Sequence, residues 1–161
     1  MPLLHETGTV VPPSELADTL GALVSVTHRL TRLAARAAGG TESPAVWRTL
    51  SVLREAGPLR LGELAEFSRV SQPTMTKIVR SLVEREWVRR IADVTDARAW
   101  QIDLAERGST ALDGWRDQLG RALLPTFADV DETDAAVLRR ATDILSARLE
   151  ASRVRSAEVT A

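Results

Sequence analysis

The sequence predicts a mostly α-helical fold in which one short β-hairpin interrupts a series of helices. Three observations carry this prediction. Apolar residues recur at three- and four-residue spacing along most of the 161-residue chain, as on the buried stripe of a helix. The rhythm turns to alternation at Trp87-Val88-Arg89-Arg90-Ile91 and again at Trp100-Gln101-Ile102-Asp103-Leu104, the pattern of half-buried strands. Helix starters and stoppers punctuate the remainder: Ser14, Ser43, Ser71 and Asp131 precede periodic runs, while Gly39-Gly40 and Gly57-Pro58 follow them.

The elements follow in order. Met1 to Pro13 reads as a flexible arm ended by Pro12 and Pro13. Ser14 is expected to cap a long first helix, since its hydroxyl can accept an orphan backbone N–H. Leu16, Leu20, Leu23, Leu30 and Leu33 give that helix its stripe. Ser43-Pro44 restarts the chain, with proline in the first turn where a missing N–H costs nothing. Val46, Trp47, Leu50 and Leu53 then form the inward face of a second helix. Leu61 to Phe67 is a short third helix, and Ser71 caps a fourth expected to run to about Glu86. The two alternating segments flank a polar hairpin tip, Asp93 to Ala97. A fifth helix carries Leu112, Trp115, Leu119, Ala122 and Leu123, and Pro125 breaks or bends it near its end. Asp131 and Asp134 place acids at the start of a last helix, where its dipole favours them. Val137, Leu138, Ala141, Ile144, Leu145 and Leu149 line that helix, and the tail from Ser152 is expected to fray.

Composition excludes several classes of function. The chain has no cysteine, which removes disulfides, thiolate metal sites and thiol redox chemistry. His5 and His28 alone make a poor zinc site. No stretch approaches the length of a membrane span, and the start lacks the order of a signal peptide, so no membrane partner and a cytoplasmic location are expected. No Ser-His-acid order, Gly-rich phosphate loop or histidine–carboxylate cluster points to an enzyme, and no cofactor is implied. Net charge is only −1, yet a local basic patch is what groove binding needs. From Ser68 to Val83 there is no acid, while Arg69, Lys77 and Arg80 are present; acids gather instead around Asp129 to Asp134.

Two helices joined by a short turn and followed by a hairpin are the parts of a winged helix-turn-helix. At about 100° per residue, Met75, Ile78, Val79, Leu82 and Val83 of the fourth helix face the core. Pro73, Thr76, Lys77, Arg80, Ser81 and Glu84 face outward. That outer face is small and polar at its start and basic further on, as a helix reading a major groove requires; it is equally the composition of a solvated face. Ser71, Gln72, Pro73, Thr74, Thr76, Lys77 and Arg80 are the candidate DNA-binding residues there. In the hairpin, Asp96 and Arg98 sit two apart on one side, so the carboxylate can hold the guanidinium extended for a minor groove. A hairpin-tip ion pair without function has the same spacing. Asp93 with Asp96 makes only a weak metal site, lacking further ligands.

Together these residues resemble a known family. Gly57-Pro58-Leu59-Arg60-Leu61-Gly62-Glu63-Leu64-Ala65, Val70-Ser71-Gln72-Pro73-Thr74-Met75-Thr76-Lys77-Ile78-Val79, Asp93-x-x-Asp96-x-Arg98 and Leu104-x-x-x-Gly108 are similar to the MarR family of bacterial regulators. The resemblance runs from about Ser14 to Ala151. It departs at Ala97, where the family usually has the first of two arginines, and at Gly62, where Ser or Thr is common. The resemblance implies a winged helix-turn-helix with a two-stranded wing and flanking helices that form a dimerisation domain. It divides the chain into an N-terminal dimerisation helix at 14–40, a DNA-binding domain at 43–104 and C-terminal dimerisation helices at 105–151. The implied partners are double-stranded DNA at a pseudo-palindromic operator, a second copy of the chain, and a small effector, aromatic or anionic, that releases a repressor from DNA. The flanking helices, long and apolar for so small a winged domain, are compatible with a homodimer.

The family's usual ligand cleft makes His28, Trp47 and Arg48 the candidate effector contacts. Each has a plainer reading: Trp47 as core packing, Arg48 facing water, His28 as a surface or interface residue. The same fold could also serve as a sensor or protein-interaction module that has lost DNA binding. Keeping Lys77, Arg80 and Arg98 all basic argues against that alternative.

Overall fold

The computed structural model describes residues 11–40, 42–93, 96 and 99–160, with side chains described as far as 155. Residues 1–10 of the expected arm, and Ala97 and Arg98 of the wing tip, lie outside them. The described elements are α1 (Pro13–Ala38), α2 (Pro44–Ala56), β1 (Leu59–Arg60), α3 (Leu61–Phe67), α4 (Gln72–Glu84), β2 (Val88–Ala92), β3 (Trp100–Leu104), α5 (Glu106–Leu123) and α6 (Glu132–Thr160), with a 3₁₀ turn at Leu124–Phe127. They fall into two compact units, one ending at Leu123 and the other beginning at Leu124.

In the first unit, Val46, Leu50 and Leu53 of α2, Leu64 and Ala65 of α3, and Met75, Val79 and Leu82 of α4 share one core with Val88, Ile102 and Leu112. Leu50, Leu64, Met75, Leu82 and Leu112 are wholly excluded from solvent. Truncating any one of these leucines to alanine costs about 2–5 kcal/mol, because the lost contacts are only partly recovered by collapse. Three tryptophans extend the core. Trp47 stacks on Trp115 at 4.9 Å between ring centroids and on Trp87 at 5.7 Å. Arg85 lies over Trp87 at 5.1 Å and pairs with Glu42 at 2.6 Å. This arrangement ties the end of α4 to α2 and α5.

The sheet has the order β1-β3-β2, all antiparallel, with Leu59 opposite Ile102 and Arg90 opposite Ile102 from the other side. The wing hairpin is thus the expected pair of strands, and the two-residue β1 joins it as an addition the sequence did not announce. Behind the hairpin, a methyl group on Gly108 would stand 2.0 Å from the Trp87 carbonyl oxygen. That oxygen already accepts from the Ala105 N–H at 3.0 Å, so only glycine fits where α5 passes the start of β2. On α1, Ala34 is buried and Gln118 of α5 donates to the Ala38 carbonyl at 3.0 Å.

Several helix ends differ from the sequence reading. Proline sets the start of α1: Pro12 occupies the cap position and Pro13 the first turn, so Ser14 lies inside the helix rather than capping it. Helix α4 stops at Glu84 rather than near Glu86, because Glu86 turns left-handed at φ 59°. Pro125 ends α5 outright, in the 3₁₀ turn. Helix α6 does not fray at Ser152 but continues to Thr160, with Arg153 paired to Glu150 at 2.6 Å. Among the described residues no helix is long and apolar enough to cross a membrane.

Candidate nucleic-acid interface

Helix α4 is set by its two ends and its buried face. Ser71 caps it as the sequence predicts: its Oγ accepts from the Thr74 N–H at 3.4 Å and shares a hydrogen bond with the Thr74 hydroxyl at 2.9 Å. Before the cap, α3 closes in a Schellman turn, in which the Arg69 N–H donates to the Glu66 carbonyl at 2.9 Å and the Val70 N–H to the Ala65 carbonyl at 3.0 Å. Arg69 supplies the left-handed residue of that turn, at φ 54°. The far end of α4 repeats the motif. Glu86 donates to the Val83 carbonyl and Trp87 to the Leu82 carbonyl, both at 2.9 Å.

With Met75, Val79 and Leu82 inward, Ser71, Gln72, Pro73, Thr74, Thr76, Lys77 and Arg80 are all exposed along one outward face. Val83 does not join the core side as expected. It is 37% exposed, while Leu82 beside it in the last turn is wholly buried. Inside the first turns, Thr76 Oγ1 donates to the Gln72 carbonyl at 2.9 Å.

Charge pairing divides the cations of this region sharply. Arg54 pairs with Asp113, Arg60 with Asp93, Arg85 with Glu42 and Arg89 with Asp103. Among the described residues, Arg69, Lys77, Arg80 and Arg90 make no ion pair, and all four are exposed. They sit in the turn before α4, on α4 and on β2.

The wing is anchored at its base. Asp93 is buried, and its Oδ2 accepts from Arg60 Nε at 2.6 Å and from Gln101 Nε2 at 3.4 Å. Its Oδ1 accepts from the Asp96 N–H at 3.2 Å, while the Asp96 carbonyl accepts from Ala99 at 2.9 Å. The hydrogen bond that Arg60 donates to Asp93, with the charge of that carboxylate, raises the Arg60 guanidinium above its ordinary value. Both oxygens of Asp93 are thus engaged in anchoring the base of the wing. Among the described residues no group of three or more potential ligands converges. The proposed pairing of Asp96 with Arg98 falls outside the described residues.

Residues 43–100 match the sequence model of the MarR family. An uncharacterised HTH-type transcriptional regulator of Bacillus subtilis, YpoP, is 29% identical over 89 residues, which cover 55% of this chain and 63% of that relative. Among solved structures, transcriptional regulator Tm0710 from Thermotoga maritima superposes with a TM-score of 0.64 at 18% identity, covering 84% of this chain and 96% of that one. Wild-type MarR from E. coli gives 0.58 at 18% identity over 86% and 98%. The chain has the winged helix-turn-helix fold of these structures.

The matched segment holds the helix-turn-helix and anchors its wing through residues distant in sequence. Gly62 on α3, one of its two departures, lies beside Gln72: a Cβ there would stand 3.0 Å from Gln72 Nε2. The three candidate effector contacts have different surroundings. Trp47 is half-buried in its tryptophan stack, Arg48 donates to the Ser68 carbonyl at 3.1 Å, and His28 is exposed on α1. Arg69 and Arg90 were not singled out as site residues by sequence reasoning. A cation inside the acid-free window was the available signal for Arg69; Arg90 gives none until the pairing of its neighbour Arg89 is known.

Proposed function

We propose that this chain is a transcriptional regulator that binds double-stranded DNA sequence-specifically, with α4 in the major groove. The carrying observation is the set of exposed cations without ion pairs, Arg69, Lys77 and Arg80, on and just before a helix whose opposite face is locked into the core. Arginine and lysine left uncompensated beside polar, short side chains suit phosphates and base edges together. In this reading Ser71, Gln72, Pro73, Thr74 and Thr76 approach the bases, and Lys77, Arg80 and Arg69 take phosphates or a guanine edge. Arg90 meets the adjacent backbone and Arg98, steadied by Asp96, enters the minor groove.

The reading includes a homodimer on a pseudo-palindromic site. Its support is the apolar surface left open on the flanking helices: Leu16, Leu20 and Val24 on α1, and Val137, Leu138 and Leu149 on α6, are all largely exposed in the single chain. Two copies related by a two-fold axis would present two α4 helices about one DNA turn apart. As a repressor, such a dimer is released when a small aromatic or anionic effector binds one dimer state better than the other.

The test is binding of the full-length chain to a 30-base-pair duplex, followed by anisotropy as salt is raised. Each phosphate contact contributes about −0.9 to the log–log slope, so three or more contacts predict a slope near −3 or steeper. Absence of binding at low salt, or a flat curve, contradicts the proposal. Sedimentation at micromolar concentration should show a dimer; a monomer would remove the two-half-site model.

A further inference from the structure

The hydroxyls of the first turns of α4 are already committed. Ser71 Oγ accepts the Thr74 N–H and shares a hydrogen bond with the Thr74 hydroxyl, and Thr76 Oγ1 donates to the Gln72 carbonyl. Pro73 has no polar side-chain atom. Gln72 differs from all of these: it is exposed at the first helical position, and its amide carries both a donor and an acceptor that no internal hydrogen bond engages. Its Nε2 lies against α3 at Gly62, 3.0 Å from where a Cβ would be, tighter than an ordinary carbon contact.

We infer that Gln72 is the chief base-reading side chain of α4, that it selects adenine, and that Gly62 is the residue that positions it. This rests on the groove-binding reading above. An amide with one free donor and one free acceptor matches the N7 acceptor and N6 donor that adenine presents in the major groove. The committed hydroxyls cannot offer that pair without releasing the cap of α4. Glycine at 62 lets the amide rest along the start of α3. Any Cβ at 62 displaces the flexible end of Gln72 rather than backbone, and Gly62 has no positive φ to demand glycine. A substitution there should therefore leave the fold intact while changing what Gln72 reads. Gly62 acts through Gln72 and is a positioning residue.

The experiment is binding-site selection from a pool of randomised 30-base-pair duplexes, using the full-length wild type and Gly62→Ala, Gly62→Ser and Gln72→Ala, with a Gly62→Ala/Gln72→Ala double variant. Wild type should prefer adenine over other bases about tenfold or more at one position per half-site. Gln72→Ala should abolish that preference, and both Gly62 variants should cut it at the same position to about threefold or less while melting no lower than wild type. In the Gln72→Ala background, Gly62→Ala should change sequence preference no further, an interdependence that a merely structural glycine would not show. Retention of the adenine preference by Gln72→Ala overturns the assignment of Gln72. Loss of preference in Gln72→Ala but not in the Gly62 variants overturns the role of Gly62. A wild type that captures no duplex overturns the groove reading itself, and the inference with it.

Discussion

The side chain of Arg60 closes on the buried carboxylate of Asp93, Nε to Oδ2 at 2.6 Å, joining the residue before α3 to the base of the wing. The two ends of this pair live in different media: the Asp93 side chain is 1% exposed and that of Arg60 45%. A carboxylate so enclosed depends on the groups that hydrogen-bond to it.

Asp93→Ala should therefore loosen the hairpin base rather than the helical core. We expect a melting temperature lowered by several degrees and faster amide exchange across β2 and β3. Exchange at α4 should stay slow, because its core contacts do not pass through Asp93. Uniform loss of protection over the whole first unit would show instead that the wing base is part of the core's cooperative unit.

Arg69 offers a separation of stability from function. A side chain at φ 54° costs up to about 1 kcal/mol relative to glycine, so Arg69→Gly should raise stability modestly. The same substitution removes a proposed phosphate contact and should reduce the salt slope of duplex binding by about one. Chemical denaturation and salt titration of the same variant decide it. Greater stability with an unchanged slope would leave the arginine without a role on DNA.

The acid limb of stability should carry the signature of Asp113. The hydrogen bond from Arg54, joined by charge from Arg54 and Arg116, holds this carboxyl below its ordinary value of 3.8. A lowered folded value stabilises the ionised state, so the contribution is complete above pH 3.8 and disappears as pH falls through the lower, folded value. Arg54 also donates to the Ser109 carbonyl at 2.6 Å, so part of its anchoring survives loss of the carboxylate. Asp113→Asn should be less stable than wild type near neutrality, and urea midpoints of the two should converge in acid. Parallel midpoints at all pH values would contradict the pairing.

What the sequence made legible was local. Ser71 and Pro73 mark the start of α4 within three residues, and the spacing of Met75, Val79 and Leu82 states which face is buried. Signals that a single glycine usually carries were absent: Arg69 and Glu86 take the left-handed positions that end α3 and α4, so α4 reads two residues too long. A two-residue strand such as β1 is too short to alternate. The least legible parts are the long-range ones. Arg60 finds Asp93 thirty-three residues away, and Trp47 finds Trp115 across the first unit; neither spacing has a period. Gly62 could be read as a lost hydroxyl, but that its missing Cβ makes room for Gln72 required the packing of α3 beside α4.

The central claim, that the exposed cations of α4 bind DNA, is tested most directly by quantitative gel shift with the duplex selected by the wild type. Lys77→Ala/Arg80→Ala should be compared with Arg121→Ala, which removes an exposed cation of α5. Binding at least about thirtyfold weaker is expected for the double variant, about 1–3 kcal/mol being attached to each good contact, with wild-type melting and sedimentation. The Arg121 variant should bind within about threefold of wild type, as expected for long-range screening alone. Equal affinities for wild type and the double variant, with both folded, would contradict the account.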